Sequence, residues 1–298
     1  MPGWNAVLGE IQQAAADPFK IVRQKHLTKL SKVAGGRNII AYYSGWLQKA
    51  GLADTAIGNV DKNAFMSMIH QMDRSKGLDI IIHTPGGDLC ATESIVDYLK
   101  AMFGNDIRAI VPQLAMSAGT MICCSCKEIV MGKQSSLGPI DPQFGGIPAQ
   151  GVLEEFERAG KEIKTDQSKA WLWQPILQKY HPSFLGECEK AVALSHEMCK
   201  EWLSENMFNN NGTKDEAKAL EVTKKLSDHV STKTHARQFN IDDCTKMGLK
   251  ILALESNPAL QDAVLTIHHA YMHTFGMTNA FKIVENQLDV DITFRARN

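Results

Sequence analysis

The sequence predicts an α/β protein with a parallel sheet, and three observations lead to this fold class. Strand-like and helix-like segments alternate along the first half of the chain, the strand-like segments are apolar, and two glycine-containing turns follow neighbouring strands. The 298 residues carry a formal net charge of −1 and are 44 % hydrophobic, which suits one large folded unit with an appendage. The near-zero charge gives no support for nucleic acid binding.

The elements follow one another in a regular order. Residues 1–34 form an amphipathic helical pattern and predict an N-terminal helical arm. The alternating segments after it are RNIIAYY (strand, from Arg37), DKNAFMSMIHQMD (helix, with Asp61 as its N-cap), LDIIIHT (strand), TESIVDYLKAMF (helix), DIRAIVPQ (strand), SAGTMICCSC (helix) and EIVMG (strand).

The character of the chain changes at Gly151, where long helical patterns begin. They are VLEEFERAGKEIK, GECEKAVALSHEMCKEWLSENMF and TKDEAKALEVTKKLSDHV. The alternation in DVDITFRARN predicts an edge strand near the end. We therefore divide the chain into an arm (1–34), a main domain with a helical insertion (35–250) and a C-terminal helix and strand extension (251–298).

The seven cysteines indicate reduced thiols rather than disulfides. The first twenty residues lack a basic segment followed by an apolar one, so we expect no signal peptide and a cytoplasmic protein. The CCSC segment (Cys123, Cys124 and Cys126) has no second pair of cysteines at zinc-finger spacing. We expect its thiols to be structural, and we predict neither a metal nor a cofactor.

Two turns carry the chemistry. TPGGD fits neither a dinucleotide fingerprint nor a P-loop, and Asp88, which would repel a phosphate, is better suited to cap its turn. AMSAGT places Ser117 between a strand and a helix, where it is either an N-cap or a nucleophile. Because the carboxyl ends of neighbouring strands meet in one crevice, the two turns together predict N–H donors facing a serine, as acyl transfer requires.

The motifs HTPGG, AMSAGT and SSLGPIDPQ, in this order and spacing, resemble the Clp-protease/crotonase superfamily over about residues 35–150. The resemblance is closer to the serine dehydrogenase proteinase family, which is related to the Ser–Lys signal peptide peptidase and the stomatin-specific protease. It implies stacked β-β-α units, Ser117 as nucleophile, an oxyanion hole from Gly87 and Ala118, and site-shaping roles for Gly86 and Ser136. It also implies a peptide or unfolded-protein substrate and a homo-oligomer, and leaves membrane-protein substrates open.

The base that activates the serine is the least defined part of the site. The Clp proteolytic subunits have a histidine in the window where GPIDPQFGG stands here, and that window holds Asp141 instead. The related signal peptide peptidases use a lysine about fifty residues after the serine, which here matches Lys169. Burial against Trp171 and Trp173 would keep its amine neutral. Four other candidates remain open, namely Lys164, Lys161, Lys133 and His235.

Two alternatives to a serine endopeptidase remain. A crotonase-like enzyme would use the same N–H pair to hold an acyl-CoA enolate, but would need no serine at position 117. A degenerate protein of the same fold would act only as a scaffold or binding protein. The absent triad histidine keeps this second alternative open.

Overall fold

The computed structural model describes residues 3–228 and 234–297. Eleven α-helices lie within these ranges. They are α1 (Trp4–Gln13), α2 (Pro18–Val33), α3 (Val60–Ile69), α4 (Leu89–Phe103), α5 (Ala118–Cys124), α6 (Ala149–Thr165), α7 (Ala170–Leu177), α8 (Phe184–Trp202), α9 (Glu216–Ser227), α10 (Ile241–Met247) and α11 (Pro258–Met277). The last residues of the third predicted long helix, 229–230, lie outside the described ranges.

A seven-stranded sheet forms the centre of the protein. Its strands are β1 (Asn38–Ser44), β2 (Leu78–His83), β3 (Ile107–Val111), β5 (Glu128–Met131), β11 (Ile251–Ala253), β12 (Ala280–Asn286) and β13 (Asp291–Arg295). They lie side by side in the order β11-β5-β3-β2-β1-β12-β13. The first five are parallel, whereas β12 runs antiparallel to β1 and β13 antiparallel to β12. The predicted α/β class and the C-terminal edge strand are confirmed.

Short strands form a second layer over the carboxyl ends of the main strands. β4 (Leu114–Ala115) pairs in parallel with β6 (Ser136–Leu137), and Thr84 bridges to Ala115. β3 and β5 are each followed by a short strand, and β2 by the bridging residue Thr84, as expected for stacked β-β-α units. The remaining short strands form two hairpins, β7 (Gln143–Phe144) with β8 (Ile147–Pro148), and β9 (Asn209–Asn210) with β10 (Thr213–Lys214).

Hydrophobic cores cover both faces of the sheet, which explains why the strands are continuous apolar runs. Ile80 and Ile82 of β2 face a core shared with α3, α4 and α5, whereas Ile81 faces a second core shared with α2 and α11. The three thiols of the CCSC segment are buried in the first core. No helix within the described ranges is both long enough and apolar enough to cross a bilayer.

The predicted N-cap role of Asp61 is wrong. The N-cap residue is Asn59, two residues earlier, and Asp61 lies fully buried in the first turn of α3. Its carboxylate accepts hydrogen bonds from Tyr42 Oη at 3.0 Å and Lys282 Nζ at 3.0 Å. A buried carboxylate is tolerated when such partners pair with its charge. Through the ion pair with Lys282, this carboxylate links β12 to α3, and it does not cap the helix.

Candidate active site

Two turns at the carboxyl end of the sheet are hydrogen-bonded to each other. The first follows β2 and leads into α4, and the second follows β4 and leads into α5. The Thr84 N–H donates to the Leu114 carbonyl at 3.1 Å, and the Met116 N–H donates to the Thr84 carbonyl at 3.0 Å. These bonds fix the TPGGD turn against the residues that precede Ser117.

Ser117 has a backbone conformation that few side chains adopt. Its φ is 51° and its ψ is −117°, and it occupies the N-cap position of α5 without capping the helix through its side chain. Ser117 is thus the N-cap residue by position, but its side chain does not cap the helix, and its role as nucleophile stays a prediction. A positive φ is unfavourable in free energy for a residue other than glycine. Such a residue keeps this conformation only where the surrounding structure imposes it. Strained strand-to-helix turns of this kind expose nucleophilic serines.

Gly86 is required by the close approach of the two turns. Its φ is +96°, and a Cβ atom added there would lie 2.7 Å from Ser117 Cβ and 2.8 Å from the Met116 carbonyl oxygen. Gly87 is equally constrained, because an added Cβ would lie 2.3 Å from Ile57 N. Any side chain at either position would displace the turn from the serine.

Two backbone N–H groups beside Ser117 remain available to a ligand. Ile57 N–H donates to the Gly86 carbonyl at 2.8 Å, and Asp88 N–H donates to the Ile57 carbonyl at 2.9 Å. Within residues 3–228 and 234–297, the intervening Gly87 N–H and the Ala118 N–H donate to no acceptor. Both residues line the same cleft as Ser117. Asp88 caps α4 as expected, accepting from Ala91 N–H at 2.7 Å.

His235 lines this cleft and is hydrogen-bonded to Asp141. The His235 Nδ1 to Asp141 Oδ1 distance is 2.8 Å, and Asp141 is only 2 % exposed. A carboxylate only accepts hydrogen bonds, so in the neutral imidazole the proton lies on Nδ1 and Nε2 is left with a lone pair. The sequence analysis identified each residue separately but missed their pairing, because they are 94 residues apart.

Lys169 lies in a short 3₁₀ turn between α6 and α7 and is absent from the cleft lining. Its Nζ is 3.5 Å from Glu162 Oε2, and its side chain is 41 % exposed. The predicted desolvating wall is wrong for Trp171, which is 80 % exposed, whereas Trp173 is buried and donates to Glu162. The assignment of Lys169 as base stays a prediction, but its surroundings lack the apolar burial on which that assignment depended.

The remaining predicted site residues lie apart from the cleft lining. Lys161 pairs with Glu157 on the surface of α6, and Lys164 and Lys133 are exposed. Ser136 is in β6, where its N–H donates to the Gln113 carbonyl at 2.7 Å. This bond stabilises the second layer beneath the Ser117 turn.

The cleft has a volume of about 450 Å³ and a mainly apolar wall. That wall includes Leu89, Met121, Ile140, Phe144 and Ala191. Ser195 of α8 donates to the Ile140 carbonyl at 2.8 Å, which fixes the residue before Asp141. Across the described part of the chain, no three His, Cys, Asp or Glu side chains form a group that could hold a metal ion.

Both turns and the pair of His235 and Asp141 lie in a segment that matches known proteins. A model of the family described as ClpP-like SDH-type serine proteinase matches residues 56–257, which include both turns, Asp141 and His235. The uncharacterized protein MJ0137 of Methanocaldococcus jannaschii is 38 % identical over 108 residues, 36 % of this chain and 37 % of that protein. The uncharacterized protein MJ1495 of the same organism is 28 % identical over 191 residues. This second match spans 64 % of this chain and 57 % of the relative.

Proposed function

The chain belongs to the family of ClpP-like SDH-type serine proteinases, and from this membership we propose that it hydrolyses peptide bonds through an acyl-enzyme on Ser117. The observation that carries the proposal is the shared cleft. It combines a strained serine, two unused N–H donors and a histidine bonded to a buried carboxylate. These groups supply the nucleophile, the oxyanion hole and the base that acyl transfer needs.

In the proposed mechanism, His235 is the general base. Its Nε2 removes the proton from Ser117 Oγ as the oxygen attacks the scissile carbonyl, and it returns that proton to the departing amine. Asp141 holds the imidazole through Nδ1 and stabilises the imidazolium that forms. The N–H groups of Gly87 and Ala118 bind the oxyanion. After the amine has left, His235 takes a proton from water as the water oxygen attacks the ester carbonyl, the bond to Ser117 Oγ breaks, and the proton passes to that oxygen as the carboxylic acid product leaves.

The choice of His235 over Lys169 depends on environment. A lysine acts as a base only when burial or a neighbouring cation keeps its amine neutral, whereas Lys169 is partly exposed and faces Glu162. An imidazole is the commonest acid–base group in such sites, and the 2.8 Å bond to Asp141 supports the orientation of His235.

The cleft wall favours substrates with an apolar side chain next to the scissile bond. Its side chains beside Ser117 are uncharged apart from Asp88, which caps α4, and His235. An apolar substrate residue gains free energy by leaving water there, whereas a charged one would lose its hydration without a partner. Exposed apolar residues are typical of peptides and unfolded chains, the substrate classes expected from the resemblance. The expected homo-oligomer also stays part of the proposal.

A peptide library tests this function directly. Purified protein is incubated with mixed-sequence peptides, and the cleavage sites are read by mass spectrometry for the wild type and for Ser117→Ala. We expect cleavage after apolar residues by the wild type alone. Cleavage after lysine or glutamate with equal efficiency would contradict the specificity. Hydration or isomerisation of acyl-CoA without peptide cleavage would favour the crotonase-like alternative, and no turnover of either substrate would favour a scaffold.

A further inference from the structure

Helix α7 exposes an apolar surface that the catalytic mechanism does not use. Trp171 is 80 % exposed, Leu172 70 % and Ile176 37 %, and Pro175 lies exposed between them. These four residues, which we call the Trp171 face, recur at helical spacing along one side of α7. Single exposed apolar side chains are ordinary, but a contiguous cluster containing a tryptophan indicates an interaction surface.

The opposite side of α7 is fixed to the protein. Trp173 is only 6 % exposed, and its indole N–H donates to Glu162 Oε2 at 3.2 Å. The Arg158 guanidinium lies 5.5 Å from the centroid of the same indole. Because Trp173 anchors the helix on α6, the Trp171 face is held outward.

The charged residues near the Trp171 face in the sequence include a small excess of lysine. Between residues 162 and 183 the chain carries Lys164, Lys169 and Lys179 against Glu162 and Asp166, and Lys169 Nζ lies 3.5 Å from Glu162 Oε2. The Asp166 carboxylate accepts hydrogen bonds from Ser168 N–H at 3.0 Å and Ser168 Oγ at 2.7 Å. Lys164 and Lys179 are exposed and form no ion pair with another described residue, so these two lysines are left to complement an anionic surface.

From this arrangement we propose that the Trp171 face docks on a bilayer surface that contains anionic lipids. Tryptophan and leucine beside lysines are the residues by which short amphipathic helices enter the headgroup region. A second copy of this chain is a poorer occupant, because a two-fold contact through this face would bring two sets of lysines together. An anionic bilayer matches both the apolar side chains and the charges.

Docking through α7 would also hold the serine cleft close to the membrane. Tyr180, three residues beyond α7, stacks on Phe184 with ring centroids 5.6 Å apart. Phe184 in turn contacts Phe144 of the cleft wall, with ring centroids 5.4 Å apart. If the proposed peptidase function holds, the substrates within reach would include segments of membrane proteins.

Vesicle sedimentation of the full chain tests the docking without using activity. Vesicles of phosphatidylcholine alone are compared with vesicles that contain one quarter phosphatidylglycerol. The proteins compared are the wild type, W171S/L172S and a control, Leu220→Ser. Leu220 is a suitable control because it is an apolar residue on α9 that is 39 % exposed. We expect the wild type and the control to bind the anionic vesicles, and the double variant to bind at least about tenfold more weakly, since two buried apolar side chains are lost. High salt should weaken binding.

Two outcomes would overturn the proposal. One is equal sedimentation of the wild type and the double variant. The other is a wild type that binds no vesicles but loses its oligomeric state by light scattering when Trp171 and Leu172 are replaced, which would assign the face to a second copy. Cleavage of a soluble peptide should be unchanged in W171S/L172S. A failure of peptide cleavage in every variant would reject the proposed function and leave the docking result standing.

Discussion

His235 donates a hydrogen bond through Nδ1 to Asp141 Oδ1 at 2.8 Å, and this pair joins two segments that the sequence separates by 94 residues. The bond leaves the lone pair on Nε2, the other imidazole nitrogen, which is the base we propose for the cleft that both His235 and Ser117 line. Asp141 occupies the sequence window in which the Clp proteolytic subunits carry their histidine. Along the sequence, the proposed triad therefore has the order serine, aspartate, histidine.

The first prediction separates the two candidate bases. His235→Ala should lower kcat for peptide hydrolysis by about 10²–10⁴-fold, the usual contribution of a general base. Lys169→Ala should stay within about threefold of the wild type, because Lys169 contacts Glu162 and not the cleft. In addition, a mechanism with an imidazole base loses rate when acid protonates the base, whereas a neutral-amine mechanism gains rate toward alkaline pH. Steady-state kinetics from pH 5 to 10 distinguish them, and an inactive Lys169→Ala beside an active His235→Ala would restore lysine as the base.

Asp141→Asn should reduce kcat by about 10²–10⁴-fold while leaving the fold intact. The asparagine amide can donate to Nδ1, which would place the imidazole proton on Nε2 and remove the lone pair that accepts the serine proton. Circular dichroism serves as the check on folding. Wild-type turnover in Asp141→Asn would show that the pair has no part in the reaction.

Gly86→Ala should disrupt the site more than the fold. The added Cβ would lie 2.7 Å from Ser117 Cβ, and displacement of the reacting groups by about 1 Å can cost about 100-fold in rate. Gly146→Ala is the matched control, because Gly146 has φ +85° but no atom within 4 Å of the added Cβ. Both variants should lose about 1–2 kcal/mol of unfolding free energy from the positive φ. Only Gly86→Ala should lose peptide hydrolysis, and equal activities of the two variants would contradict the steric argument.

Acidification should destabilise the protein through His268 of α11. Burial lowers the pKa of His268 to about 3, and its Nδ1 has no hydrogen-bond partner within the described ranges. The folded state keeps this imidazole neutral, so between about pH 6.5 and 3 the unfolded state binds more protons and stability falls as the pH falls. At pH 4.5 this amounts to about 3 kcal/mol relative to pH 7.

Urea unfolding at pH 7 and pH 4.5 measures this loss. His268→Leu removes the titrating group and should show a smaller difference between the two pH values than the wild type. His181→Leu is the control, because His181 is on the surface with 57 % of its side chain exposed. Identical pH dependence in the wild type and His268→Leu would mean that other groups cause any acid instability.

The local pattern of polar and apolar residues in the sequence predicts much of the fold and the part of the site formed by the two turns. Alternation and apolar runs are enough to find β1, β2, β3, β5 and the turn at Ser117, because each depends on neighbours in the sequence. The antiparallel strand β12 was missed because its partner, β1, lies more than 230 residues earlier. Nothing in the local pattern of AFKIVEN shows which strand it will join.

The missed parts of the site have the same physical origin. The pairing of His235 with Asp141 depends on tertiary structure that brings the segment before α10 against the turn after β6. The exposure of Trp171 also could not be read from AWLWQPIL, in which nearly every residue is apolar. The face that packs is decided by Trp173 and its contact with Glu162 on α6.

The labelling of Ser117 by a fluorophosphonate tests the central claim most directly. The reagent requires a nucleophilic serine, an oxyanion site and a base, and so it reports the whole arrangement without knowledge of the natural substrate. Intact-mass spectrometry followed by peptide mapping should find one adduct per chain, located on Ser117 in the wild type, absent from Ser117→Ala and formed at least about 100-fold more slowly in His235→Ala. An adduct on another residue, or equal labelling of Ser117→Ala, would contradict the account.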